Sequence, residues 1–197
     1  GEHLAQRVPV AVKVITHEDA RDPTLRAAFR SEVRAVAQMD HSAIVRVFEY
    51  GSVGAAAAAA SAGRLIEGSP FLAMELLTGG SLDDQPPPTD WPALRRTLLE
   101  LLDALGHAHA RGLVHRDLKP KNVLFAGTDT DSPGLRLTDF GIAHALGREE
   151  GGSDDVEGAS GTPYYMAPEQ HHGHWRDFGP WTDLYSLGCM AWELASG

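Results

Sequence analysis

Asp117 and Asn122 stand five residues apart in the run His115-Arg116-Asp117-Leu118-Lys119-Pro120-Lys121-Asn122. Pro120 interrupts any helix between them, so they share a tight loop. These residue types suit transfer of a charged group to an alcohol. A carboxylate can hold the hydroxyl proton of the attacking alcohol, an amide oxygen can hold a metal, and a lysine between them can neutralise phosphate charge. Composition sharpens the point. Asn122 is the only asparagine in the chain, and fourteen arginines stand against three lysines: Lys13, Lys119 and Lys121. A chain that nearly always uses arginine has kept lysine where a compact point charge on phosphate is wanted. A further acid, Asp139, follows Asn122 by seventeen residues, beyond an apolar strand and a loop.

The elements that position these groups can be read in order. Residues 8–15 are β-branched and nearly continuous, which predicts a strand with Pro9 at its start or on an edge. Lys13 is its lone charge, either an edge lysine pointing to water or a functional one. Asp22-Pro23 then opens a helix, with Leu25, Phe29, Val33 and Val36 at helical spacing. Glu32 sits on the edge of that apolar stripe, where the pattern alone reads it as a boundary residue. Strands are predicted over 44–50, ended by Gly51, and over 71–77. Between them the six-alanine tract 55–60 reads as a variable insertion rather than a functional helix. Pro86 to Pro88 form a stiff connector, and Asp90 caps a helix running through Leu94, Leu98, Leu101, Leu102 and Leu105 to a terminal Gly112. His107 and His109 on its last turns read as structural or solvent-facing. Residues 135–138 form a short strand before Asp139, and residues from Trp181 to Leu194 form an apolar helix. His171, His172 and His174 read as a surface loop rather than a metal site.

Length and charge set the frame. The 197 residues make one domain or two small lobes, and 43% hydrophobic with 22% charged residues is a globular composition. No apolar run reaches the roughly 18 residues needed to span a bilayer, and no signal peptide is apparent. The single Cys189 excludes an internal disulfide and fits a reducing compartment, so a cytoplasmic location is expected. A net charge of −10 argues against nucleic acid or an anionic membrane as partner. Any phosphate site must then be locally basic, with Lys13 and Lys119 as suppliers.

The ordered motifs resemble those of eukaryotic-like, bacterial-type serine/threonine protein kinases. The set comprises Val-Ala-Val-Lys ending at Lys13, Glu32, the loop 115–122, Asp139-Phe140-Gly141, the segment Gly161-Thr162-Pro163-Tyr164-Tyr165-Met166-Ala167-Pro168-Glu169, and Asp183. The resemblance covers about residues 8 to 195. It implies an α+β, bilobal protein-kinase-like fold: an antiparallel-sheet N-lobe with one helix over 1–77 and a mostly helical C-lobe over 78–197, both truncated. It further implies that Asp117 accepts the proton of a serine or threonine hydroxyl on a protein substrate and that Lys119 steadies the γ-phosphoryl of ATP. Asn122 and Asp139 would hold Mg²⁺, an ion usually bound through few protein carboxylates plus phosphate oxygens. Lys13, set by Glu32, would position the α/β-phosphates. Ala11 and Leu124 would sandwich adenine, with Glu75 C=O and Leu77 N–H as its hinge partners and Ser81 beside the ribose. Met74 would be the gatekeeper, or plain core filling, and Asp183 would bond back to the catalytic loop.

Departures from the pattern shape the expectation. No Gly-x-Gly-x-x-Gly precedes Val10, and no arginine beyond Arg176 remains for Glu169 to pair with, so a fragment or truncated kinase is expected. Loss of two hydrogen bonds to charged groups, at roughly 1.5–3 kcal/mol each, would weaken ATP handling by on the order of 10²–10⁴. The acidic run 152–160 offers Asp154, Asp155 or Glu157 as a partial stand-in for a phosphate facing Arg116; a solvated loop phosphorylated at Ser153 or Ser160 is the equal alternative. Two other functions stay open: a non-catalytic kinase-like ATP- or protein-binding module, which only turnover discriminates, and a small-molecule phosphotransferase, which a substrate panel discriminates. Oligomeric state is not legible.

Overall fold

The computed structural model of the chain describes residues 1–15, 23–127, 134–140, 163–172 and 175–196. Four strands form an antiparallel sheet: β1 (Glu2–His3), β2 (Val8–Val14), β3 (Val47–Ser52) and β4 (Pro70–Glu75), in the order β1-β2-β4-β3. β2 is central, so Pro9 falls at its start, opposite Glu2. In the β2/β4 register Lys13 faces Leu72 and Ala11 faces Met74. Helix α1 (Pro23–Ala37) covers one face of this sheet, burying Phe29 and Val33 against Ile15 and Leu72. Residues at helical spacing supply that face, as the pattern of Phe29, Val33 and Val36 predicts.

The second core is larger and mostly helical. Helix α3 (Trp91–His109) is capped by the Asp90 carboxylate, which accepts the Ala93 N–H at 2.8 Å. It buries Leu101, Ala104, Leu105 and Ala108 against Leu187 and Met190 of α5 (Pro180–Ser196) and against the hairpin β5 (Val123–Phe125)–β6 (Leu135–Leu137). Gly112 ends the α3 turn with φ +74°, a conformation that favours glycine. Among the described residues no helix is long and apolar enough to cross a membrane.

The two cores are joined behind the site. Ala43 and Val45 hydrogen-bond Leu137 on both sides at 2.8 Å, so the stretch after α1 runs beside β6. That pairing explains why the strand expected over 44–50 begins only at Val47: Ile44 bridges Leu137 instead of β4. The strand expected over 71–77 likewise ends at Glu75, where the chain turns toward β5 through Gly79 N–H to Phe125 O at 3.0 Å. The alanine tract forms α2 (Ala55–Ala60), a helix with no buried residue, as the high intrinsic propensity of alanine allows.

Candidate active site

The loop 115–122 is held from beneath by one buried acid. Asp183 on α5 is fully buried and accepts the His115 N–H and the Arg116 N–H, each at 2.8 Å, and meets His109 Nε2 at 2.7 Å. Burial pushes its carboxyl pKa up. The bond from His109 and the two backbone N–H groups outweigh that, so it titrates below the usual carboxylate range. Arg116 is thereby kept at φ +66°, a left-handed backbone uncommon for a residue with a side chain. The His115 ring accepts the Asp117 N–H through Nδ1 at 3.3 Å, leaving Nε2–H to donate to Thr138 O at 2.9 Å. Its face packs on Phe140, centroids 4.6 Å apart.

The same loop gathers the groups that spacing singled out. Lys119 Nζ donates to both oxygens of Asp117, at 3.0 and 2.8 Å. Residues Pro120–Asn122 make one 3-10 turn, which returns Asn122 to the same carboxylate. Its Nδ2 donates to Asp117 O at 2.7 Å and to Asp117 Oδ2 at 3.0 Å, which turns Oδ1 the other way. Asn122 C=O accepts the Thr138 N–H at 3.0 Å, and that bond places Asp139 beside the loop. Asp139, at φ +65°, presents Oδ1 to Lys13 Nζ at 2.8 Å. The ammonium lies off the hydrogen-bonding direction, so this buried oxygen has charge compensation but no hydrogen bond.

The expected Lys13–Glu32 pair is not formed. Glu32 Oε1 instead accepts from Arg116 NH1 at 2.9 Å, and Lys13 serves Asp139. An ammonium has three donors, so the pairing is set by where the acids and the other cations lie rather than by its capacity. Both acids are largely buried, Glu32 slightly more than Asp139, and each is met by its own cation: Glu32 by the Arg116 guanidinium and Asp139 by Lys13. The Arg116 side chain therefore points to α1. The acids proposed to face it, Asp154, Asp155 and Glu157, lie outside the described residues, as do Gly141, Gly161, Thr162 and His174.

On the other side of the cleft the backbone between the lobes is fixed by its neighbours. Glu75 exchanges bonds with Arg46, giving its N–H to Arg46 O at 3.0 Å and accepting the Arg46 N–H on Oε1 at 2.8 Å. The Leu77 N–H makes no hydrogen bond to another described residue. The Ser81 hydroxyl and N–H both donate to Asp84 Oδ2, at 2.6 and 2.8 Å, and hold that acid below the usual carboxylate range. Ser81 also bridges Leu124 of β5. Met74 approaches Thr138, whose hydroxyl lies 3.7 Å from its sulfur.

Against known proteins, the chain matches the protein kinase domain family over residues 1–197. The chain belongs to the protein kinase family. It is similar to the serine/threonine-protein kinase PknB of Mycobacterium tuberculosis, with 34% identity over 99% of this chain and 30% of that protein. It is also similar to PknA of the same organism, with 37% identity over 95% of this chain and 41% of the other. Among solved structures, the PknI kinase domain of M. tuberculosis superposes with a TM-score of 0.66 at 27% identity, over 94% of this chain and 62% of that one. The kinase is thus of the bacterial serine/threonine type, and the chain spans about a third of the length of the curated relatives it matches.

Within this kinase, two polar partners were not singled out by sequence. His109, read as structural or solvent-facing, is the side-chain partner of Asp183. Nothing in the pattern of α3 marks it, because its partner lies 74 residues away. Glu169 accepts from the Thr182 hydroxyl at 2.7 Å. His171 and His172 are exposed, and no group of three or more metal-binding histidines, cysteines or acids occurs among the described residues.

Proposed function

We propose that this kinase domain transfers the γ-phosphoryl group of Mg·ATP to serine and threonine hydroxyls of protein substrates. The observation that carries the reading is the convergence of Asp117, Lys119 and Asn122 on one carboxylate, with Asp139 and Lys13 paired alongside. The site suits the ion it needs. Asn122 Oδ1 is turned away from Asp117, and Asp139 Oδ1 is a buried oxygen without a hydrogen bond, so both are hard donors suited to Mg²⁺. Bound Mg²⁺ neutralises phosphate charge.

The chain's own residues do the rest by position and charge, with little covalent work. Asp117, about two-fifths exposed, is open to an incoming hydroxyl and accepts its proton. Lys119, already on Asp117, brings a positive charge to where the transferring oxygens gather. Lys13 gives its charge to the α/β-phosphates, which requires that it leave Asp139, and Glu32 is the acid available on α1 to hold it there. The unbonded Leu77 N–H and the Glu75 carbonyl receive the adenine edge between Ala11 and Leu124, and Met74 closes the back. Ser81 meets the ribose by its lone pairs, since its proton is on Asp84. We place the reaction in the cytoplasm, a reading supported by the single Cys189, which fits a reducing compartment.

A second reading rests on the ion pairs as they stand. With Lys13 on Asp139 and Glu32 on Arg116, the domain is arranged to bind rather than to turn over. Transfer of γ-phosphate from Mg·ATP to the chain itself or to a generic serine/threonine protein, beside Asp117→Asn, separates the two. Transfer lost in the variant supports the kinase reading; no transfer from either favours the binding module.

A further inference from the structure

Arg116 is gripped on both sides of its Cα. Its N–H goes to Asp183 Oδ1 at 2.8 Å, and its C=O accepts Gln170 Nε2 at 2.6 Å. The second grip matters more for the base. The Arg116 C=O and the Asp117 N–H belong to one peptide plane, and that N–H is bonded to His115 Nδ1. Both polar ends of the plane that delivers the Asp117 Cα are therefore occupied, one by the loop itself and one by Gln170.

Gln170 lies on the short helix α4 (Pro168–His171), and its other end is equally committed: Oε1 accepts the Ala167 N–H at 3.0 Å. This fixes which end of the amide is which. A backbone N–H needs the oxygen and a backbone C=O needs the NH₂, so a flipped amide would set like against like at both contacts. The side chain is a two-ended strut between the segment 163–171 and the main chain just before Asp117. Glutamate and methionine, close in size, lack one or both of these functions.

We infer that Gln170 is a positioning residue for phosphoryl transfer, holding the Arg116–Asp117 peptide so that the carboxylate of Asp117 meets the substrate hydroxyl. The inference rests on the kinase reading above, and the test keeps the two apart. Two variants separate the strut from a simple helix cap. Gln170→Glu keeps an acceptor for the Ala167 N–H, adds an acid that suits a first helical turn, and loses the donor to Arg116 O. Gln170→Met is close in size, uncharged, and loses both bonds.

If the strut acts on the base, both variants lower the single-turnover transfer rate at saturating Mg·ATP by about ten-fold, the factor that one lost hydrogen bond supplies. ATP affinity then stays within about two-fold, and the melting temperature of Gln170→Glu stays near that of the parent. A cap-only role slows transfer in Gln170→Met alone, and a charge effect slows it in Gln170→Glu alone. A parent-like rate in either variant overturns the inference. Amide hydrogen exchange of residues 115–118 gives a second readout, expected to quicken in both variants at neutral pH. Absence of transfer in the parent overturns the kinase reading. Exchange still decides the strut in that case, and unchanged exchange in either variant refutes it.

Discussion

Replacing Asp183 by asparagine tests how the catalytic loop is held. The carboxylate is wholly buried and accepts from three donors at 2.7–2.8 Å. Asparagine keeps one accepting oxygen, so one of the two backbone bonds survives as a neutral bond. That costs about 1 kcal/mol, the gap between charge-assisted and neutral hydrogen bonds. The amide NH₂ then faces the other backbone donor, which is left unsatisfied at about 1–3 kcal/mol. His109 relieves the third contact, because its neutral ring can present a lone pair at Nε2 instead of a proton. The sum is about 2–4 kcal/mol, a large share of the 5–15 kcal/mol typical of a domain. Urea unfolding at pH 7.5 reads it as a lower midpoint at unchanged slope. The difference should shrink in acid. Asp183 titrates low in the folded state, so its contribution is complete above the unfolded carboxyl pKa and fades as pH falls through the folded one. A variant within 0.5 kcal/mol of the parent, an order-of-magnitude limit for surface substitutions, would refute the argument.

Two further outcomes follow from local geometry. His107 titrates below its ordinary value, chiefly through burial and then through the nearby charges of Arg111 and His41. The unfolded chain therefore takes up the proton more readily, and stability is lost as pH drops below about 6.5. His107→Gln should flatten that part of the stability-versus-pH curve; an unchanged curve in urea melts would count against it. At the junction between the lobes, a Cβ on Gly79 would stand 2.7 Å from Phe125 O and 2.9 Å from Phe125 Cβ. Gly79→Ala should cost about 1–3 kcal/mol and weaken ATP binding, measured calorimetrically. Gly106→Ala is the control, since nothing lies within 4 Å there and alanine favours the helix.

The motif residues were legible because a loop chemistry fixes spacing. Asp117, Lys119 and Asn122 must lie within one short turn, and a single 3-10 turn closes that distance. The helical face of α1 was legible from Phe29, Val33 and Val36, since a 3.6-residue period permits one buried stripe. Ion pairing was not. Lys13 has two acids to choose from, and the choice depends on which other cation reaches each acid, which only the assembled lobes define. The start of β3 was misplaced because Ile44 and Val45 open the strand-like run 44–50 but pair with Leu137, a partner nearly a hundred residues away. The alanine tract was read as an insertion without a functional helix, and its local propensity nonetheless makes it helical. Gln170 carries no spacing signal at all: its role depends on a carbonyl 54 residues earlier.

The grips on the catalytic loop have a consequence for how such a domain can change. Asp183 and Gln170 hold main-chain atoms of residues 115 and 116 rather than the side chains of those two residues. That hold makes no use of the side chain at position 116, although proline would remove the N–H and a β-branched residue would be strained at φ +66°. The Arg116 side chain is meanwhile free to answer to α1 through Glu32. Placement of the base and responsiveness to a signal are thus written in different atoms of one residue. Evolution can rewrite the second without disturbing the first, and an engineer who wishes to rewire control of the domain should begin with the side chain at 116 and leave 170 and 183 alone.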